Sequence, residues 1–371
     1  MTLFCTKNCL KYCAIPAVLG TSTIAQAAEI QREYRSARYL GMGDTGISLS
    51  EGHDALFYNP AGIADVKGIV NEIVLASPQV EVSANAKSLY TSISTHAPAS
   101  NIIRQIEGEP QHIAVQNFTG LVFRRAAIGV YERGQADVFL GTDPAKGMLV
   151  ANGDVLARAG INTAFGRSFM NDQLLLGINL KFAQKNEGTI ALDALTAEEQ
   201  LKGLTPSSAL SRYVQRGNGA GGDVGMIWKF ADTSRTRFGL VARNVGDMNY
   251  PWAIPSGSKG PSSDKQTIDV GASIAPSTKK SSAAMAIDYR DVLNANGDSP
   301  YKRIHMGARL SFQGILGFVA GLNQGYPTYG AFVNFKIVRA EAGYYSEELG
   351  KNPGDIRSRR LYARLAVGWS Q

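Results

Sequence analysis

The feature that most constrains this chain is an alternation of apolar and polar residues with a period of two, repeated along most of its length. In residues 303–312 the even positions are Ile304, Met306, Ala308, Leu310 and Phe312, and the odd positions are Arg303, His305, Gly307, Arg309 and Ser311. Residues 174–182 put Leu174, Leu176, Ile178, Leu180 and Phe182 on one face, with Gly177, Asn179 and Lys181 on the other. Residues 338–345 and 360–369 repeat the pattern, the latter with Leu361, Ala363, Leu365, Val367 and Trp369 against Arg360, Tyr362, Arg364 and Gly368. Successive side chains of a strand point to opposite faces, so each segment reads as a strand with one apolar and one polar side. Such runs fall near residues 70–77, 118–123, 126–133, 155–169, 174–184, 220–230, 237–245, 267–275, 283–290, 303–312, 315–323, 328–336, 337–345 and 358–369. That makes about fourteen strands.

The connections sort by parity. One set is short: 124–125, 170–173, 231–236, 276–281, 313–314 and 336–337. The intervening set is mostly longer: 78–117, 134–154, 185–219, 246–266, 291–302, 324–327 and 346–357. An even strand number, with short turns at one end and longer loops at the other, is the pattern of a bacterial outer-membrane barrel whose short turns face the periplasm. A soluble sandwich has no reason to segregate loop length in this way. Mean hydropathy is −0.11, which suits a membrane barrel because only every second residue need be apolar. The expected fold is therefore all-β, an antiparallel transmembrane β-barrel of about 14 strands. Residues 99–107 and 192–204 carry apolar residues at helical spacing, the second with Thr196 and Glu199 in capping-box positions. Both predict short helices in the extracellular loops.

The first 27 residues read as a secretory signal peptide. Lys7 and Lys11 give a positive start, residues 13–24 are mostly apolar or small, and Ala25-Gln26-Ala27 is a cleavage sequence. Cys5, Cys9 and Cys13 are the only cysteines, so the exported chain is expected to have no disulfide. The formal charge of +7 falls to +5 when the two leader lysines are removed. That charge is spread out, with no basic block, which argues against nucleic-acid binding. The four histidines, His53, His96, His112 and His305, form no metal-spaced cluster, and neither HExxH nor a nucleophile elbow is present. No catalytic residue, metal or cofactor is expected, and GMGDTG precedes no βαβ unit that would make it a nucleotide loop.

The polar strand faces should line the lumen. They carry Arg158, Lys181, Asp223, Lys229, Asp269, Asp288, Arg303, His305, Arg309, Arg339, Glu341, Arg360 and Arg364. Inward charges in a filled barrel pair with one another, and arginine among them can also grip a carboxylate through two parallel hydrogen bonds. The candidate ligand contacts are Arg158, Lys181, Arg303, His305 and Arg309. Facing also makes a mutational prediction. Arginine at Leu310 or Leu365 should cost about 2–4 kcal/mol in barrel stability, and alanine at the inward Gly307 should be far milder.

Residues 41–66, GMGDTGISLSEGHDALFYNPAGIADV, stand between the leader and the first strand. Pro60 fixes its own φ and pushes Asn59 out of the helical region, so Asn59-Pro60-Ala61-Gly62 reads as a turn. With Ala55, Leu56, Phe57 and Tyr58 before it, this stretch resembles the N-terminal hatch of the FadL-like outer-membrane proteins, long-chain fatty-acid and hydrocarbon transporters with PorV-like relatives. The resemblance implies a plug over residues 28–69, with Asn59, Pro60, Ala61 and Gly62 as its hatch motif, and a barrel over 70–371. It implies passive uptake of hydrophobic or amphipathic, fatty-acid-like molecules across a Gram-negative outer membrane. The alternative it offers is a non-transporting barrel that docks or shuttles secreted proteins. Outer-membrane lipid, lipopolysaccharide, the ligand and the barrel-assembly machinery are the partners to be expected. The chain departs from the pattern in being short and in ending Gly368-Trp369-Ser370-Gln371, without a terminal aromatic.

Overall fold

The computed structural model describes residues 32–143, 148–193, 213–230, 233–278 and 280–370. The leader read at residues 1–27, the start of the 28–69 segment and most of the helical stretch at 192–204 lie outside the described residues.

Fourteen antiparallel strands form a closed barrel. The first, β1, is in two pieces, Val70–Ala76 and Gln79–Ser83. Then come β2 (Gln111–Phe123), β3 (Ala126–Asp143), β4 (Met148–Phe169), β5 (Leu174–Asp193), β6 (Val214–Lys229) and β7 (Arg237–Arg243). The second half holds β8 (Thr267–Ile274), β9 (Ser281–Tyr289), β10 (Ile304–Phe312), β11 (Leu316–Asn323), β12 (Tyr326–Phe335), β13 (Val338–Glu348) and β14 (Arg357–Ser370). Each strand pairs with the next, and both pieces of β1 pair with β2 on one side and β14 on the other, which closes the sheet. Closure leaves no free edge along the wall. The break in β1 falls at Ser77-Pro78, where proline has no N–H to give. There the Ser77 N–H donates to the Asn117 side chain at 2.9 Å instead of to a strand, and the Pro78 carbonyl accepts from Leu365 N–H at 3.0 Å.

The alternation decides which face is which. Leu310 and Leu365 are 52% and 47% exposed on the outside, whereas their neighbours Arg364 and Ser311 are buried. Phe169, Phe230, Phe312, Phe335 and Trp369 are exposed beside the short turns or at the chain's end, where a membrane barrel carries an aromatic girdle. The short turns themselves need left-handed backbone: Arg125, Met170, Asn171, Asp172, Gln313 and Lys336 all have positive φ.

Several boundaries differ from the sequence reading, by the most at the long-loop end. Residues 134–143 and 148–154 continue the β3–β4 hairpin rather than forming a loop, and β5 runs to Asp193. Residues 79–83 belong to β1 rather than to the following loop. Above the apolar band both faces of a strand meet water or polar neighbours, so the alternation that marks a strand fades while its backbone pairing persists. The parity of loop length is accordingly weaker than expected, since only two residues separate β11 from β12. The helix read at 99–107 is present as Ala99–Ile106, and a second, Ala86–Ser94, lies in the same connection. That second helix carries Ala86, Leu89, Tyr90 and Ile93 at helical spacing, and the sequence reading did not include it.

Candidate functional site

Residues 32–69 lie against the inner face of the wall. They contain a single helical turn, Ala37–Leu40, and two 3-10 helices, Gly52–Leu56 and Pro60–Asp65. Asn59 caps the last of these with extended backbone (φ −155°, ψ 110°), its side-chain oxygen accepting from Ala61 N–H at 3.1 Å. The motif thus starts a helix rather than making a simple turn; proline at the first helical position has no N–H to satisfy there. The Asn59 amide nitrogen donates to the carbonyls of Ile47 (2.9 Å), Met226 (3.1 Å) and Leu240 (3.3 Å). Met226 and Leu240 are paired residues of β6 and β7. One side chain therefore closes the segment on itself and ties it to the wall.

The segment comes this close because the wall has glycine where it touches. A Cβ on Gly225 would collide with the Asn59 side chain, on Gly177 with Pro60 backbone, on Gly166 with Ala64 backbone, and on Gly239 with the Ile47 carbonyl. On the opposite wall, Gly307 and Gly321 face the backbone of Met42 and Gly43. Gly166 pairs with Gly177, Gly177 with Gly225, Gly239 with Gly271 and Gly307 with Gly321, so the glycines align in neighbouring strands. The expectation that Gly307→Ala would be mild is overturned: its added methyl would occupy the place of the Met42 carbonyl.

Polar groups of the wall satisfy the segment's backbone. Asp288 accepts from Gly46 N–H (2.7 Å) and Ile47 N–H (3.1 Å). The Thr328 hydroxyl accepts from Gly43 N–H and donates to the Gly41 carbonyl, both at 2.9 Å. Asn179 donates to the Leu56 carbonyl at 2.9 Å, and Arg243 donates to the carbonyls of Phe57 and Tyr58. Ion pairs reinforce this, among them Arg35–Glu347 (2.9 Å), Glu33–Lys181 (2.9 Å), Asp44–Arg290 (2.8 Å) and Asp65–Lys229 (2.7 Å). An aromatic cluster fills the interior, with Phe57 stacked on Tyr34 (ring centroids 4.5 Å) and edge-on to Phe118 and Tyr131. The ALFY run before Asn59 supplies the core of that cluster.

The five candidate ligand contacts divide. Arg158, Lys181 and Arg303 line one cavity of about 400 Å³ at the long-loop side, together with Arg32, Tyr34 and Phe57 of the segment. Arg158 grips Asp264 with both terminal nitrogens, at 2.7 and 2.8 Å. Lys181 is shared by Glu33 (2.9 Å) and Asp223 (2.8 Å). Arg303 donates to the Asp291 carbonyl at 2.7 Å, lies over the Tyr289 ring, and makes no ion pair among the described residues. His305 and Arg309 are elsewhere. His305 is buried against the Gly43 carbonyl (2.9 Å), and Arg309 stands 3.4 Å from Glu51. A second cavity, about 560 Å³, lies toward the short-turn end and is lined by Arg38, Glu51, His53 and Asp65 of the segment, with Arg339 and Arg364 of the wall.

The connection between β7 and β8 covers part of the first cavity. Residues 252–253 add a short strand to the upper edge of β6, and Tyr250 and Asp264 turn inward. Burial pushes the Asp264 carboxyl up, but Arg158 and then Lys185 outweigh it and hold it at about 2. Sequence reasoning missed Asp264, Asp44 and the glycine row, and it placed Asp288 on the inner face without assigning it a partner. The glycines were visible as small residues on polar strand faces, but nothing in one strand says what they face.

Comparison of the sequence with protein-family models and with curated proteins gives no match. Among solved structures the chain resembles FadL homologues and hydrocarbon channels. It is 12% identical to the toluene transporter TbuX of Ralstonia pickettii, covering 90% of this chain and 97% of that one, with a TM-score of 0.49. The monoaromatic hydrocarbon channel CymD gives 14% identity, 90% and 96% coverage and a TM-score of 0.46. A FadL homologue of Pseudomonas aeruginosa gives 12%, 92% and 100%, and 0.43. At such identities and scores these are likenesses of chain architecture alone.

Proposed function

We propose that this protein is a channel of the Gram-negative outer membrane for passive uptake of hydrophobic or amphipathic small molecules, with residues 28–69 as its plug. The observation that carries the reading is that this one segment lines both cavities, Tyr34 and Phe57 facing the 400 Å³ one and Arg38 and His53 the 560 Å³ one. A solute crossing the barrel has to displace or skirt the segment. The apolar band and aromatic residues outside support a wall set in a bilayer, with the short turns read as the periplasmic end. The charged lining beside Tyr34 and Phe57 suits an amphipathic solute, and Arg303, lacking an ion-pair partner among the described residues, is the group best placed to meet its anionic end.

Uptake of labelled oleate into proteoliposomes, alongside single-channel conductance, tests this reading. It expects saturable uptake with a small basal conductance. A large, permanently open conductance without uptake overturns it. The docking alternative draws on Tyr90 and Ile93, exposed on the Ala86–Ser94 helix. Co-purification of a secreted protein that is lost on replacing both residues by serine would favour it.

A further inference from the structure

Three cations stand side by side on the inner face. Arg133 of β3 is the register partner of Arg158 of β4, which is the register partner of Lys185 of β5. Like charges opposite one another destabilise a sheet unless counter-charges reach them. Wall acids serve the outer two: Glu81 of β1 lies 2.7 Å from Arg133, and Glu187 of β5 lies 3.4 Å from Lys185. Arg158, between them, is gripped by a carboxylate from a connection. Asp264 accepts from both of its terminal nitrogens, from Lys185 (3.2 Å) and from the Tyr250 hydroxyl (2.7 Å). Lys181, in the same cavity, has a wall acid, Asp223, at 2.8 Å.

The β7–β8 connection lies flat on β6 because glycine gives it room. A Cβ on Gly219 would collide with the Asn249 carbonyl, and one on Gly217 with Pro261. Met248 and Asp264 exchange backbone hydrogen bonds of 2.9 and 3.0 Å, so the carboxylate moves with the inward part of the connection. The Arg158 side chain is 1% exposed and that of Asp264 13%, and both line the 400 Å³ cavity. We infer that Asp264 stands in for the carboxylate of an entering solute, and that exchange of one carboxylate for the other at Arg158 releases the β7–β8 connection from the cavity. This rests on the reading that an amphipathic solute enters there. Removing one partner of a buried ion pair is costly, so the connection stays down until an anion arrives. Replacing a carboxylate by a carboxylate avoids that cost, and both fit the two parallel donors of a guanidinium. An uncharged solute with the same chain cannot make the exchange. While Asp264 is in place, Arg303 makes no ion pair among the described residues, and the exchange adds Arg158 to it as a second grip.

Trp252 of the connection, 6.2 Å from Phe182 of β5, reports its release. The other two tryptophans are removed as Trp228→Phe and Trp369→Phe, and this full chain is the parent. In detergent at neutral pH, oleate should shift the Trp252 emission toward the acid signal, and methyl oleate should leave it unchanged. Labelled oleate, in equilibrium dialysis, should bind Asp264→Asn about tenfold more tightly than the parent, because no internal carboxylate competes. Asp264→Glu, which keeps the carboxylate, should bind like the parent. So should Asp298→Asn, which removes the same charge from the same lining. Heat-modifiability should match the parent in all three, and the emission comparison needs no Asp264 variant. The proposal is overturned by methyl oleate that shifts Trp252 as far as oleate does. It is overturned equally by Asp264→Asn that binds oleate no more tightly than the parent, or by an equal gain in Asp298→Asn. Both readouts are taken in detergent, so absent uptake into proteoliposomes overturns the channel reading alone. Saturable uptake beside an unchanged Asp264→Asn affinity overturns this inference alone.

Discussion

Asn59 shows how much one side chain can hold when its donors and acceptor all find partners. Its oxygen caps a helix and its nitrogen meets carbonyls from the segment and from two wall strands. Asn59→Ala removes the cap and leaves those carbonyls underused, an expected loss of about 1–3 kcal/mol in docking the segment. Limited proteolysis should cut the segment faster in this variant while heat-modifiability of the barrel is unchanged. Gly225→Ala and Gly307→Ala should loosen the segment at least as much, because a methyl cannot share space with Asn59 or with the Met42 carbonyl. Gly134→Ala, whose added Cβ meets nothing within 4 Å, should behave as wild type in the same assay.

At the scale of elements, facing and docking are separable. Leu310→Arg or Leu365→Arg puts a charge on the outward face of β10 or β14, and unfolding in detergent or lipid should register a loss of about 2–4 kcal/mol. The β7–β8 connection depends instead on a carboxylate. Asp264 is held at about 2, below the ordinary 3.8, so the stability it gives is complete above about pH 4. That contribution, on the order of 2 kcal/mol, is lost as the pH falls through the depressed value. Emission from Trp252, which lies in this connection, should therefore change between about pH 4 and pH 2, and Asp264→Asn should show the low-pH signal at all pH values.

For the whole molecule, the wall closes through strand pairing alone, with β1 bridging β2 and β14. Removing residues 33–66 should then leave a folded, heat-modifiable barrel with a much larger single-channel conductance. A deletion that fails to assemble would show the segment to be part of the wall's folding rather than an insert within it. The strand number was legible from alternation and loop placement, because lipid outside and polar groups inside impose opposite demands on neighbouring residues. The upper parts of β3, β4 and β5 were not legible, because above the apolar band that contrast is gone. Of the candidate contacts, the sequence offered Arg158, Lys181, Arg303, His305 and Arg309 as equals. Only three of them line a common cavity, since inward facing sets direction but not height along the barrel or partner.

The sequence by itself determined the wall: which residues face outward, how many strands there are, and where the short turns fall. Those follow from a local rule, the two-residue period of a strand between lipid and lumen. Only the tertiary structure decided what the inner face meets. The glycines of β4 to β11 make room for residues 42–64, and Asp264 reaches Arg158 from another connection. Each of these pairs residues far apart in the chain, and their meeting is fixed by barrel closure and strand register, which no single strand encodes.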